Sequence, residues 1–206
     1  MFDNCIEAEN EFEKCWQNPA YTQIKLDDVD VNQVLSHYTT EKPVHFNREM
    51  LWDMEIKKAW NPGRYIPYVV RENSAEAWGK HPCLSTKGII FVRSSWQKQW
   101  LNPNFYEEVY EEVYVNSDEQ RITFIGVTVL KDHPGKLVPS QPLFHVQHSV
   151  VGSKDHPLNR WRIVHLTKRK DESLIESFKA LNDPTSLPGF IQVYIEKDLG
   201  VLLRHK

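Results

Sequence analysis

Glycine is scarce in this chain, with eight in 206 residues, and none falls in a Gly-x-Gly-x-x-Gly, Gly-x-x-x-x-Gly-Lys-Ser/Thr or Gly-x-Ser-x-Gly pattern. Backbone that approaches a phosphate or makes a nucleophile elbow needs such glycines. A common dinucleotide-dependent dehydrogenase, a P-loop nucleotide hydrolase and an α/β-hydrolase are therefore not expected, and no cofactor is implied. Cysteine is also sparse: Cys5, Cys15 and Cys83 are widely spaced, without a Cys-x-x-Cys pair. An odd, scattered set reads as free thiols in a reducing, cytoplasmic setting. No apolar run approaches the ~20 residues needed to cross a bilayer. The acidic start lacks the basic flank of a leader peptide. With a net charge of −3 and a pI near 6.3, the chain lacks the basic excess that neutralises phosphates, so nucleic-acid binding is not expected.

What is abundant is aromatic: seven Trp, eight Tyr and nine Phe within a hydrophobic fraction of 40%. That is enough for a sizeable core, and one with flat walls and polar tips. Charge is unevenly placed. Glu7, Glu9, Glu11, Glu13, Asp27, Asp28 and Asp30 make the start acidic, whereas Arg160, Arg162, Lys168, Arg169 and Lys170 form a late basic patch. Such a patch reads as a solvated face, with anion binding as the alternative.

The spacing predicts helices over Asn4–Gln17, with Ile6, Phe12, Cys15 and Trp16 as apolar positions, over Val29–Tyr38, and over Asn47–Trp60, closed by Asn61-Pro62-Gly63. Tyr65–Val70 reads as an irregular edge strand because of Pro67, and Ser74–Gly79 as a single helical turn. Beyond Gly88 the pattern changes. Ile89–Ser94, Arg121–Leu130, Leu143–Val151 and Trp161–Thr167 are rich in Val, Ile, Phe, Thr and Trp and are bounded by turn residues. Tyr106–Val115 fits either helix or strand, with strand favoured from Glu111. Asp171–Asn182 carries an apolar stripe (Leu174, Ile175, Phe178, Leu181) with Asp171 as cap and Asp183-Pro184 as stop. Ile191–Ile195 and Val201–Leu203 read as a terminal hairpin. The expected fold is α+β: one domain over 1–206, mostly helical over 1–80 and sheet-rich over 87–206. Its N-terminal helices would pack on a curved, mainly antiparallel sheet around a pocket, followed by the late helix and hairpin.

Ionisable groups sit inside the strand-prone runs, where burial costs free energy unless they are paired, solvated or part of a site. His145, His148 and His165 are the candidates for proton transfer, since an unperturbed imidazole titrates near neutrality at ~6.5. The bland alternative for each is a surface or hydrogen-bonded structural histidine. Alternation places Phe144, Val146, His148 and Val150 on one side of a strand and His145, Gln147 and Ser149 on the other. His165 meets His145 in one register, and a one-residue slip brings it beside His148 instead. His145 and His148, three apart, point to opposite faces, so no metal site is expected. Arg93 and Arg162 could each clamp an anionic group; for Arg93 the alternative is an ion pair with a glutamate between Glu107 and Glu112. Tyr110 could supply a hydroxyl, and Trp96 and Trp100 the apolar walls of a pocket, or simply packing.

The segment Asn159-Arg160-Trp161-Arg162-Ile163-Val164-His165-Leu166, after a long strand, resembles the closing strands of nuclear-transport-factor-2-like (cystatin-like) domains. The late helix and the hairpin after it fit a START-like (Bet v 1-like) helix-grip domain instead. Both resemblances imply a curved sheet around an apolar cavity, and both superfamilies hold isomerases, cyclases, dehydratases and plain binders. The expected function is binding of a partly apolar or aromatic small molecule, with room for cofactor-independent acid–base chemistry. A non-catalytic interaction or homodimerisation module is the alternative.

Overall fold

The computed structural model describes residues 1–84, 86–179 and 186–206. Asn4 caps α1 (Cys5–Trp16), its side chain accepting from the Glu7 amide at 2.9 Å. The buried stripe of α1 is Cys5, Ala8, Phe12 and Cys15, while Ile6, an expected core position, is exposed. Next come β1 (Thr22–Lys25), β2 (Val29–Asp30), the short α2 (Val31–Leu35) and β3 (Tyr38–Thr40). The predicted helix over 29–38 is thus only its middle, capped by Asp30. Asn47 caps α3 (Arg48–Trp60), accepting from Met50. Asn61 and Pro62 end α3 and start α4 (Pro62–Tyr65), and the irregular strand expected at Tyr65–Val70 is reduced to an isolated bridge between Val70 and Gln97.

A continuous antiparallel meander comes next: β4 (Glu76–Pro82), β5 (Gly88–Lys98), β6 (Tyr106–Asn116), β7 (Arg121–Val127), β8 (Phe144–Gly152) and β9 (Pro157–His165). The helical turn expected at 74–79 is instead edge strand β4, bulged between Trp78 and His81, where Gly79 takes φ +68°. Short-range spacing missed it because its ladder partner, β5, supplies the ordering. The ambiguous segment at 106–115 is strand throughout, with all eleven residues of β6 paired to β5. Gly152, at φ +81°, makes the tight exit from β8, and a Cβ there would sit 2.3 Å from the His156 carbonyl oxygen. The sheet has eight strands in the order β1-β9-β8-β7-β6-β5-β4, with β2 also on β9, and it is not closed. The first 80 residues therefore contribute β1, β2 and most of β4 to the main sheet as well as helices.

Asp171 caps α5 (Glu172–Lys179), accepting from the Ser173 and Leu174 amides. The remainder of that predicted helix, including Leu181 and the Asp183-Pro184 stop, lies outside the described residues. No terminal hairpin forms. Residues Gly189–Lys197 are α6, and β10 (Leu203–His205) pairs with β3 in a separate two-stranded sheet. Phe190, Ile191, Tyr194 and Ile195 are buried at positions i, i+1, i+4 and i+5, the face of a helix rather than of a strand. Among the described residues no helix is long and apolar enough to cross a membrane.

Both faces of the sheet are covered. On one, α1 packs Cys5, Ala8 and Phe12 against Ile90, Tyr114, Ile125 and Val164. On the other, α3 meets Phe91, Val113, Ile122 and Phe124 through Ala59, while α3 and α6 share a core built on Leu51, Met54, Phe190 and Ile191. The second face carries the cavity.

Candidate functional site

A cavity of about 340 Å³ lies between this second face and the segments at 66–69 and 186–190. Its wall is mainly apolar and rich in aromatic rings: Tyr68, Trp100, Phe124, Phe144, Trp161, Phe178 and Phe190. Lys58, Arg93, Gln97, Glu111, His148 and Asn159 interrupt it. The register makes this set. On β8 and β9, Phe144 faces His165, Val146 faces Ile163, His148 faces Trp161 and Val150 faces Asn159. Directly opposed residues share a face, so His165 is on the His148 side, four pairs away along the ladder.

Glu55 organises one end of the wall. It is fully buried on α3, and its Oε1 accepts from Lys58 Nζ at 2.7 Å and from Asn159 Nδ2 at 2.8 Å. Its Oε2 lies 3.0 Å from His148 Nδ1. Burial alone would raise the Glu55 pKa, but Lys58 and His148 together hold it down at about 2. Burial, aided by the Lys58 charge, pushes His148 down to about 4. At neutral pH His148 is thus an uncharged imidazole whose Nδ1–H donates to Glu55, which leaves Nε2 as an unprotonated hydrogen-bond acceptor. The ring stacks on Trp161 at 4.3 Å, and Trp161 stacks on Phe190 at 5.0 Å. Lys58 Nζ sits over the last two rings, 4.5 Å from the Trp161 centroid and 3.8 Å from that of Phe190. Burial lowers the Lys58 pKa to about 8 against the pull of Glu55.

A second ion pair lies across the strands. Arg93 Nε donates to Glu111 Oε2 at 2.7 Å and Nη1 donates to the Ala59 carbonyl at 2.8 Å, with the guanidinium 4.5 Å from the Phe124 centroid. This is the glutamate pairing that the sequence offered as the alternative to a clamp. Among the described residues Arg93 Nη2 has no hydrogen-bond partner, so one edge of the fork remains on a cavity-lining residue.

The remaining sequence candidates divide by face. Trp100 lines the cavity, 4.2 Å from Phe178. His165 is on the cavity side but lies within a box of Trp100, Phe144 and Phe178 rings. Both its nitrogens are without a partner among the described residues, and burial lowers its pKa to about 4. His145 is on the opposite face, where Nδ1 accepts from the Gly126 amide at 3.1 Å and burial lowers its pKa. Arg162 is there too, bonded to Glu13 and Gln147 and lying 5.0 Å over Phe12, so the arginine expected to anchor a ligand instead fastens α1. Tyr110 and Trp96 also point away from the cavity. Tyr110 packs with Val92 and Leu130, its pKa raised by burial, and Trp96 is half exposed. The reason is alternation: Trp96 is three residues beyond Arg93 and Tyr110 one before Glu111, both odd steps along a strand.

Glu55, Lys58 and Asn159 do not stand out in the sequence. Glu55 and Lys58 are three apart on a helix, a spacing that usually marks a solvated surface pair. One signal was present. A helix with apolar positions at Leu51, Met54 and Ala59 carries Glu55 and Lys58 on the same side, where a solvated pair would interrupt the apolar face.

No family model and no curated protein matches the chain. Among solved structures it is similar to the di-domain ARO/CYC BexL from the BE-7585A biosynthetic pathway, with 11% identity and a TM-score of 0.43. The likeness covers 93% of this chain and 49% of that one, so the chain spans about half the length of that protein. A likeness so distant carries no weight for fold or chemistry.

Proposed function

We propose that this chain is a small-molecule-binding domain whose cavity takes a planar, largely apolar ligand carrying a hydroxyl or carbonyl group. The observation that carries this reading is the wall itself. Seven Phe, Trp and Tyr rings line a space above the ~300 Å³ from which ligand sites usually start, and a few polar groups converge on it. His148, held by Glu55, is the residue that accepts a hydrogen bond from the ligand, because its Nε2 is unprotonated and its orientation is set by a buried carboxylate. Arg93 Nη2 is the second polar contact, and Trp100 is the stacking surface. His145, Arg162, Tyr110 and Trp96, which face away from the cavity, have no role in ligand contact in this reading. An interaction module working through an exposed sheet face is not favoured, since α1 and α3 lie across the two faces, and the acidic N-terminal helix α1 is the surface left to it.

Fluorescence titration with 2-naphthol tests the reading. Saturable binding is expected, and Val146→Phe, which fills the cavity from β8, should weaken it at least about tenfold while leaving the melting temperature near wild type. Absence of saturable binding, or a Val146→Phe variant that binds as well as the parent, would sink it.

A further inference from the structure

Lys58 differs from the other charged groups on the cavity wall in being a nucleophile. Its amine is 3% exposed, stands over the Trp161 and Phe190 rings, and has the Glu55 carboxylate at 2.7 Å. Its neighbour Lys57, also a lysine of α3, is 44% exposed and pairs with Asp53. We infer that Lys58 is an imine-forming lysine that takes an aromatic aldehyde or ketone from the cavity. This rests on the cavity being a ligand site.

The reaction balances without any added reagent. Lys58 ammonium and a carbonyl compound give a protonated imine and one water: the C=O bond and two N–H bonds break, and a C=N bond forms. Before attack the ammonium loses one proton along its hydrogen bond to Glu55; after attack the second N–H proton passes to the oxygen of the adduct and the first is returned to it, so that two O–H bonds form and the oxygen leaves as water. The positive charge is restored on the Lys58 nitrogen in the product. The ion pair with Glu55 is therefore kept, and no buried carboxylate is left unpaired. The desolvated setting favours the neutral amine that attacks, as the lowered basicity of Lys58 reflects.

The test is reductive trapping on the whole chain with 2-naphthaldehyde and cyanoborohydride, followed by peptide mapping. The secondary amine is expected on Lys58 roughly tenfold faster than on Lys57 or any other lysine. Lys58→Arg keeps a cation against Glu55 but cannot form an imine, so it should lose the fast phase. The isosteric alcohol 2-naphthalenemethanol reports non-covalent binding in parallel. If the alcohol binds saturably but Lys58 is labelled no faster than surface lysines, the imine inference is overturned and the ligand-binding reading stands. If neither binding nor selective labelling occurs, both fall.

Discussion

Two buried histidines without charge set the acid side of stability. His148 and His165 each have an ordinary pKa of 6.5 that falls to about 4 in the fold. Above pH 6.5 both forms of the chain carry them neutral and they contribute no pH dependence. As pH falls below 6.5 the unfolded chain takes up protons that the folded one refuses, so stability declines. The histidine contribution levels off below pH 4, where the folded form also protonates, while Glu55, held at about 2, goes on losing its contribution as pH falls from 4.5 towards 2. Each shift corresponds to a loss on the order of 3 kcal/mol. Urea midpoints measured from pH 7.5 to 4 should fall steadily, and a flat profile would contradict the burial of these rings. His165→Leu should flatten part of that profile and, by removing two unpartnered polar atoms, raise stability at pH 7 by about 1 kcal/mol. The buried ion pair has the opposite sensitivity. Lys58→Met leaves Glu55 charged with only His148 and Asn159, and should cost about 3–5 kcal/mol in the same assay.

At the scale of elements, helix starts, the Asp171 cap and strand alternation were legible from the sequence. Asn4, Asn47 and Asp171 each accept amide hydrogens at the start of a predicted helix. Asn47→Ala is expected to destabilise by about 1 kcal/mol in thermal or urea unfolding, because α3 would lose its cap while keeping its core face. The long meander was legible in outline, since β-branched and aromatic runs separated by turns have few other solutions. Failures fell where an element depends on a distant partner. Residues 191–195 hold Ile, Val, Tyr and Ile, which locally prefer a strand, yet they form α6 because one helical face reaches the core shared with α3. β4 and β1 are edge strands whose order comes from β5 and β9, contacts that local spacing does not report. The site was half legible for the same reason: His148, Arg93 and Trp100 were recognisable as unusual strand or loop residues, whereas Glu55 and Lys58 looked like an ordinary helix-surface pair.

For the whole molecule, the cavity couples ligand to stability, because its wall joins β5–β9 to α3, α5 and α6. A ligand that binds only the folded chain at a hundred times its dissociation constant adds about 2.7 kcal/mol, or about 5–10 °C in melting temperature for a chain of this length. Thermal scans with and without saturating 2-naphthol measure this directly, and no shift at saturation would show that binding is not to the folded cavity. By itself, the sequence determined the α+β class, the capped helices, the aromatic supply for a pocket and the alternation that splits His145 from His148. These come from short-range periodicity and backbone sterics. Only the tertiary structure decided the register that puts His165 on the His148 side, the face that each arginine occupies, and the burial that turns Glu55 and Lys58 from a surface pair into the polar end of a cavity. Those outcomes depend on contacts between residues far apart in the chain, such as Glu55 with Asn159, and no local pattern encodes them.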